Sequence, residues 1–297
     1  MSSDRHTCVR FEAATGVRAG SAKVAIALLM FISATASAQT RKELKFNVGP
    51  GASVTVSNDF GPVTIHTGSN SLVVVAATLR SDQVEIDPTQ SGSRIDLHTH
   101  YLQRLSGDSA RVDYEITVPA DCAVTVHASA GPIRIEKVHG DVSADGDSAN
   151  IDVKDSGYGH VHLRTLKGTV NVINVSNGHI EISSVSGPVN LTNVSGPRME
   201  VNTTSGKVTY RGDFASNGAY DITTHTGDID VYMPPNASTD ISVRSVAGKV
   251  ENDFPFQPKQ HTSMALLSGK SFAGTSNQGG SSVELRSFSG TIRVKKQ

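Results

Sequence analysis

His160, His162, His179 and Glu181 are the residues whose types and spacing come closest to a metal site. The two pairs repeat at an offset of 19 residues, and within each pair the members are two apart. On stacked strands in that register they share one face, with nearest side chains about 5–7 Å apart. Three imidazole nitrogens and a carboxylate suit zinc; the plainer account is a solvated polar face. His98 and His100 form a second such pair on one strand face. Asp145-Gly146-Asp147, with Asp141 and Asp152 nearby, offers the hard oxygen donors that calcium prefers. It lacks both the Gly-Gly-x-Gly-x-Asp nonapeptide of secreted β-rolls and the closing Glu of an EF-hand, so an Asp/Gly-rich corner explains it as well.

Hydrolysis of a glycan needs two carboxylates converging in a groove. Here the 18-residue offset sets Arg134 over Asp152 and Glu136 over Lys154. Those are expected to form cross-coil ion pairs, worth about 0.2–1 kcal/mol each. No Gly-x-Ser-x-Gly, His-Glu-x-x-His or phosphate-binding loop occurs. Asn174 and Asn193 share one corner position and Asn171 and Asn190 one strand position, which predicts amide ladders along a stack. Cys122 follows a Pro turn and reads as a small buried hydrophobe. No catalytic, cofactor-binding or metal residue is assigned, and no cofactor is expected.

The elements that would position these groups are set by glycine. Gly168, Gly187 and Gly206 are 19 residues apart, and Gly227, Gly248, Gly269 and Gly290 are 21 apart. Gly140, Gly159, Gly178 and Gly196 fall midway between members of the first series. A fixed short period is the mark of a repeat architecture. Each half-repeat reads Gly-x-φ-x-φ-x-x-φ, where φ is apolar. The expected inward residues are Ile133, Ile135 and Val138; Val161, Leu163 and Leu166; Val170, Val172 and Val175; Ile180, Ile182 and Val185; and Val189, Leu191 and Val194.

Alternation at period two over about five residues is a half-buried strand. One such strand cannot bury its face, but coils stacked about 4.8 Å apart can. The fold class expected is all-β, a parallel β-solenoid of 19–21-residue coils over 129–297. Residues 40–128 are less regular: Val48-Gly-Pro-Gly-Ala52 leading to Phe60-Gly-Pro-Val63 recurs as Val118-Pro-Ala-Asp-Cys122 leading to Ala130-Gly-Pro-Ile133. With longer strands between the two phrases, residues 39–128 are expected to form a β-rich N-terminal cap over the first open coil.

The chain has 297 residues, no Trp and only 5% aromatics, which suits a narrow Val/Ile/Leu core. Val24–Ser33 is a short apolar run behind Arg18 and Lys23, followed by Ala36-Ser37-Ala38. That is the pattern of a secretory signal, with cleavage expected after Ala38. Removing residues 1–38 takes four basic and two acidic residues, leaving 23 basic and 26 acidic, a formal charge of −3. No basic excess is present to hold nucleic acid. Only Cys122 of the two cysteines remains, so no internal disulfide is expected. No second long apolar stretch follows, and no integral membrane segment is expected after cleavage.

The Pro-turn phrases, the recurrent Ser-Gly-x-Val/Ile units and the signal pattern together resemble the DUF4097 adhesin-type family of bacterial envelope proteins, related to the GIN-type autotransporter-adhesin head domains. The resemblance covers nearly the whole chain after residue 38 and rests on structural turns, so it brings no catalytic residue with it. It implies an exported, non-enzymatic β-solenoid in the periplasm, at the cell surface or outside the cell. Its polar face would bind a cell-surface polysaccharide or an envelope protein, with weak repeated contacts summing through avidity. Two alternatives are a self-associating scaffold, joined through an open coil near Ser289–Lys295, and a glycan-active β-helix enzyme.

Overall fold

The computed structural model describes residues 39–69, 71–258 and 269–297. The leader expected at 1–38 lies outside the described residues. Ser37–Gln297 forms one compact unit. Among the described residues are 25 β-strands and one 3₁₀ turn, Gly107–Ala110. The strands lie in two sheets of 12 and 13, called sheet 1 and sheet 2 below.

The middle of the chain follows its period. His160–Thr165, His179–Ser184, Arg198–Thr203 and Ala219–Thr224 stack in parallel in sheet 2. Val170–Ser176, Val189–Ser195, Val208–Arg211 and Ile229–Met233 do the same in sheet 1. The expected register holds: Val170 pairs with Val189, and His160 with His179. β-Branched side chains fill the space between the sheets, and Ile135, Val153, Val172, Ile180 and Ile182 are fully buried. Glycine makes the tight corner: a Cβ on Gly187 would strike the carbonyl of Gly168, and one on Gly206 that of Gly187.

Two expected inward residues face solvent instead. Leu166 is 42% and Val185 46% exposed, whereas Val138, Val175 and Val194 are buried. In sheet 1, Asn174 (φ 56°) and Asn193 (φ 53°) adopt the left-handed conformation. That reverses the alternation and turns the next valine inward. Sheet 2 half-coils keep strict alternation, so their inward slot goes to Thr165, Ser184, Thr203, Thr224, Ser287 and Ser245, and the residue after it points out, apolar in Leu166, Val185, Phe288 and Val246. These buried hydroxyls are satisfied at the corner. Gly168, Gly206, Gly227 and Gly290 donate their backbone N–H to Thr165, Thr203, Thr224 and Ser287 at 2.8–3.0 Å.

The order of coils departs from the order of sequence at both ends. Ser281–Ser287 lies between Ala219–Thr224 and Thr239–Ser245, and Ile292–Lys296 lies between Ile229–Met233 and Val250–Asn252. The last coil is therefore tucked inside the stack. Outside it, Thr239–Ser245 is covered by the antiparallel strand Ser271–Ser276. The glycine ladder accordingly runs Gly227, Gly290, Gly248; Gly269, expected in that ladder, sits in an open turn with φ 74°. The coil near Ser289–Lys295 is not open, which removes it as a self-association edge.

The N-terminal end mirrors this. Ser53–Phe60 and Val63–Thr67 stack on the coil starting at Ala123, and Arg94–Tyr101 and Val112–Val118 lie outside them. Antiparallel Leu72–Leu79 and Thr40–Asn47 extend sheet 1, and Val84–Ser91 extends sheet 2. Both sheets run without a break across position 128.

Candidate functional site

The histidines of the central face do come together. His160 and His179 stack with ring centroids 4.5 Å apart and planes 6° from parallel. His162 Nδ1 lies 3.4 Å, and His160 Nε2 4.0 Å, from Glu181 Oε2. The His160 backbone N–H donates to Asp141 Oδ1 at 2.8 Å. Partial burial, then the neighbouring His160 and Arg198, lower the His179 pKa. Among the described residues no three His, Cys, Asp or Glu side chains are arranged to hold a metal ion. His100 pairs with Asp87 at 3.3 Å, four strands along sheet 2 from His160.

The aspartates expected near a calcium site are dispersed. Asp145 Oδ2 lies 3.2 Å from His127 Nδ1 on sheet 2. Asp152 is on sheet 1, where it accepts from Asn171 Nδ2 at 2.7 Å and lies 3.8 Å from Arg134 Nε. The amide ladders form as their spacing implies: Asn190 donates to Asn171 and Asn193 to Asn174, each at 2.9 Å. They tie neighbouring coils of sheet 1 to one another. Cys122 is buried, its thiol pushed up to about 11 by that burial, which makes it a poor nucleophile.

A row of acids occupies the sheet 2 face. Glu181, Glu200, Asp221 and Glu284 follow one another in register. Their repulsion is offset by Arg198 at 3.6 Å from Glu200 and by Arg286, which pairs with both Asp221 and Glu284.

Beside this row, where sheet 2 meets its glycine corner, lies a groove. One depression of about 410 Å³ is lined by His127, Ser129, Asp145, Asp147, Arg164 and Leu166. A second, of about 330 Å³, shares Arg164 and Leu166 and continues past Ser183, Val185, Asn202 and Thr223. The two abut, so the groove crosses seven successive strands of sheet 2, from Ser57 to Thr223. At about 4.8 Å per strand it is roughly 29 Å long. Its floor is one outward column of polar side chains. Its rim is the exposed apolar pair Leu166 and Val185, a column that goes on through Thr204, His225, Phe288 and Val246. The His225 and Phe288 rings stack 4.9 Å apart. Arg164 and Asp147 make no ion pair among the described residues.

This groove was missed in the sequence because Leu166 and Val185 were placed in the core. The residue before each, Thr165 and Ser184, carries the signal: in Thr/Ser-x-x-Gly the hydroxyl turns inward to the glycine backbone, Thr165 accepting from the Gly168 N–H and Ser184 donating to the Gly187 carbonyl, which sends the next residue out.

A stack of parallel two-strand coils, closed by antiparallel strands at its N-terminal end and over sheet 2 at its C-terminal end, and grooved along one face, defines a β-solenoid scaffold. The chain belongs to the Toastrack DUF4097 family, whose model matches residues 42–295. Two solved structures are similar. One is from Clostridium sporogenes and described as a candidate cell adhesion protein; it is 12% identical over 87% of this chain and 100% of its own, with a TM-score of 0.28. The other, a candidate adhesin from Bacteroides fragilis, is 8% identical over 87% of this chain and 98% of its own, with a TM-score of 0.44. A search of curated proteins finds no match. Among the described residues no helix is long and apolar enough to cross a membrane.

Proposed function

We propose that this protein is an exported, non-enzymatic binding module of the bacterial cell envelope, and that its partner, a glycan or an envelope protein, contacts the outer face of sheet 2. The observation that carries this reading is the continuous groove along that face, with a polar floor and the apolar rim Leu166 and Val185. A rigid coil stack repeats donors and acceptors at one spacing, so individually weak contacts add. The acids of this face are engaged by Arg198, Arg286 and His162 and are set on a flat sheet, which is an arrangement for contact rather than for acid–base chemistry. The signal pattern at the N-terminus supports export.

The test is retention of the purified protein on isolated bacterial envelopes, measured by co-sedimentation. Asn202→Arg fills the groove on sheet 2; Thr192→Arg makes the same change on sheet 1. Loss of retention in the first variant alone is expected. Equal retention of both, or release of new reducing ends from the envelope polysaccharide, overturns the reading.

A further inference from the structure

Resting on that reading, we infer that the groove beside the sheet 2 glycine corner takes a linear, uncharged, hydroxyl-rich glycan chain lying parallel to the axis of the coil stack. The direction of the groove excludes the commonest mode of peptide capture. The strands that floor it, from Ser53–Phe60 to Ala219–Thr224, are each paired on both sides. A peptide crossing them finds no strand edge to extend, and its own N–H and C=O groups would be left to water or to side chains. A sugar chain carries its polar groups as peripheral hydroxyls, each both donor and acceptor, and side chains alone satisfy them.

The lining matches that chemistry along its length. Ser183, Asn202 and Thr223 present one uncharged polar side chain per coil; Asn202 Nδ2 donates to Glu200 and the Thr223 hydroxyl to Asp221, which leaves their oxygens as acceptors. Asp145 and Asp147 supply acceptors for paired hydroxyls, and the unpaired guanidinium of Arg164 supplies donors where the two depressions meet. Leu166 and Val185, 42% and 46% exposed, give the C–H face of a ring an apolar surface at the coil spacing. Charge sets the class. Asp59, Asp145 and Asp147 outnumber Arg164 at one end and disfavour a polyanion, while beside the Ser183–Thr223 end Glu200 and Asp221 are already paired with Arg198 and Arg286, which leaves little charge to attract a polycation.

The experiment is calorimetric titration of the purified protein with neutral linear hexasaccharides of the glucan, mannan and xylan types, beside an oligogalacturonate and a polylysine. Arg164→Ala and Leu166→Ser change exposed positions, and Thr209→Ala on sheet 1 is the control. Thermal melts of all three at the wild-type midpoint establish an intact stack. Binding of at least one neutral hexasaccharide is expected, about tenfold weaker in either groove variant, the scale of one lost polar or apolar contact, and unchanged in the control. Binding only of a charged polymer, binding indifferent to both groove variants, or no binding overturns the inference. If Asn202→Arg abolishes envelope retention while no neutral glycan binds, the envelope-binding reading stands and the glycan assignment alone falls.

Discussion

Arg293 Nη1 lies 3.2 Å from Asp230 Oδ1, and this contact joins the last coil of the chain to a coil that precedes it by more than sixty residues. Arg293 also reaches Asp228 at 3.0 Å and, on its other side, Glu251 at 3.3 Å. It thus ties the tucked strand Ile292–Lys296 to both neighbours. Asp230 is 6% exposed and is held as well by Lys207 at 2.6 Å. Arg293→Ala leaves that buried carboxylate with one partner, and the expected cost is about 1–3 kcal/mol. Urea unfolding measures it; a variant as stable as wild type would show that apolar packing alone holds the last coil.

The same carboxylate predicts an acid dependence. Burial would raise the Asp230 pKa, but hydrogen bonds from Lys207 and Arg293 outweigh it and bring the pKa below its ordinary value. The folded state therefore favours the ionised form. Its contribution is fully present above the unfolded carboxyl pKa of about 3.9 and is lost as pH falls through the lower folded value. Asp230→Asn no longer titrates. Its stability is expected to be lower at neutral pH and to fall less steeply below pH of about 4. Parallel acid profiles for the two proteins would count against the network.

Two glycine substitutions test the revised ladder. Gly187→Ala drives a Cβ onto the Gly168 carbonyl at a corner packed by backbone, for an expected loss of about 1–3 kcal/mol or more. Gly269→Ala meets nothing within 4 Å and pays only for its φ of 74°, about 1 kcal/mol. Melting temperatures of the two variants should separate clearly. Equal losses would return Gly269 to the stack.

What was legible in the sequence was what repeats locally. The 19-residue offset determined the pairing of Val170 with Val189 and the Asn171–Asn190 ladder, because each coil closes on itself and stacks on its neighbour in chain order. The interleaved ends were not legible. Thr239–Ser245 and Ser281–Ser287 carry the same alternation of inward and outward residues, so the pattern alone does not choose which of them stacks on Ala219–Thr224. What selects the observed order is particular and non-local: Arg293 between Asp230 and Glu251, and Ser271–Ser276 closing the outer coil. The groove was hidden for a third reason. The two half-coils share one sequence pattern, but Asn174 and Asn193 interrupt their sheet 1 strands in the left-handed conformation and reverse the alternation there.

The buried hydroxyl column carries a prediction of its own. Thr224 is 2% exposed and accepts the Gly227 N–H at 2.9 Å. Thr224→Val keeps the shape and deletes the acceptor, leaving a buried donor unmet at a cost of about 1–3 kcal/mol. Thr224→Ser restores the acceptor and should recover most of that loss. Amide exchange at Gly227 gives the local readout: fast in the valine variant, slow in the serine variant. Slow exchange in both would mean that another group satisfies the donor.

The stacked imidazoles predict a second pH effect, opposite in chemistry to that of Asp230 but alike in sign. Partial burial, reinforced by His160 and Arg198, places the His179 pKa below its usual 6.5, against the opposing pull of Glu181 and Glu200. The folded state disfavours the imidazolium, so the unfolded chain takes up this proton first. No penalty exists above about pH 6.5; stability declines as pH falls from there through the folded pKa, and the loss is complete below it. Arg198→Gln removes one of the charges that opposes protonation, and the His179 midpoint should move up toward 6.5. Titration of the imidazole C–H resonances reports that midpoint directly. A wild-type midpoint at or above 6.5 would show that Glu181 and Glu200 dominate the face, and that the His160–His179 stack carries the charge in the folded protein.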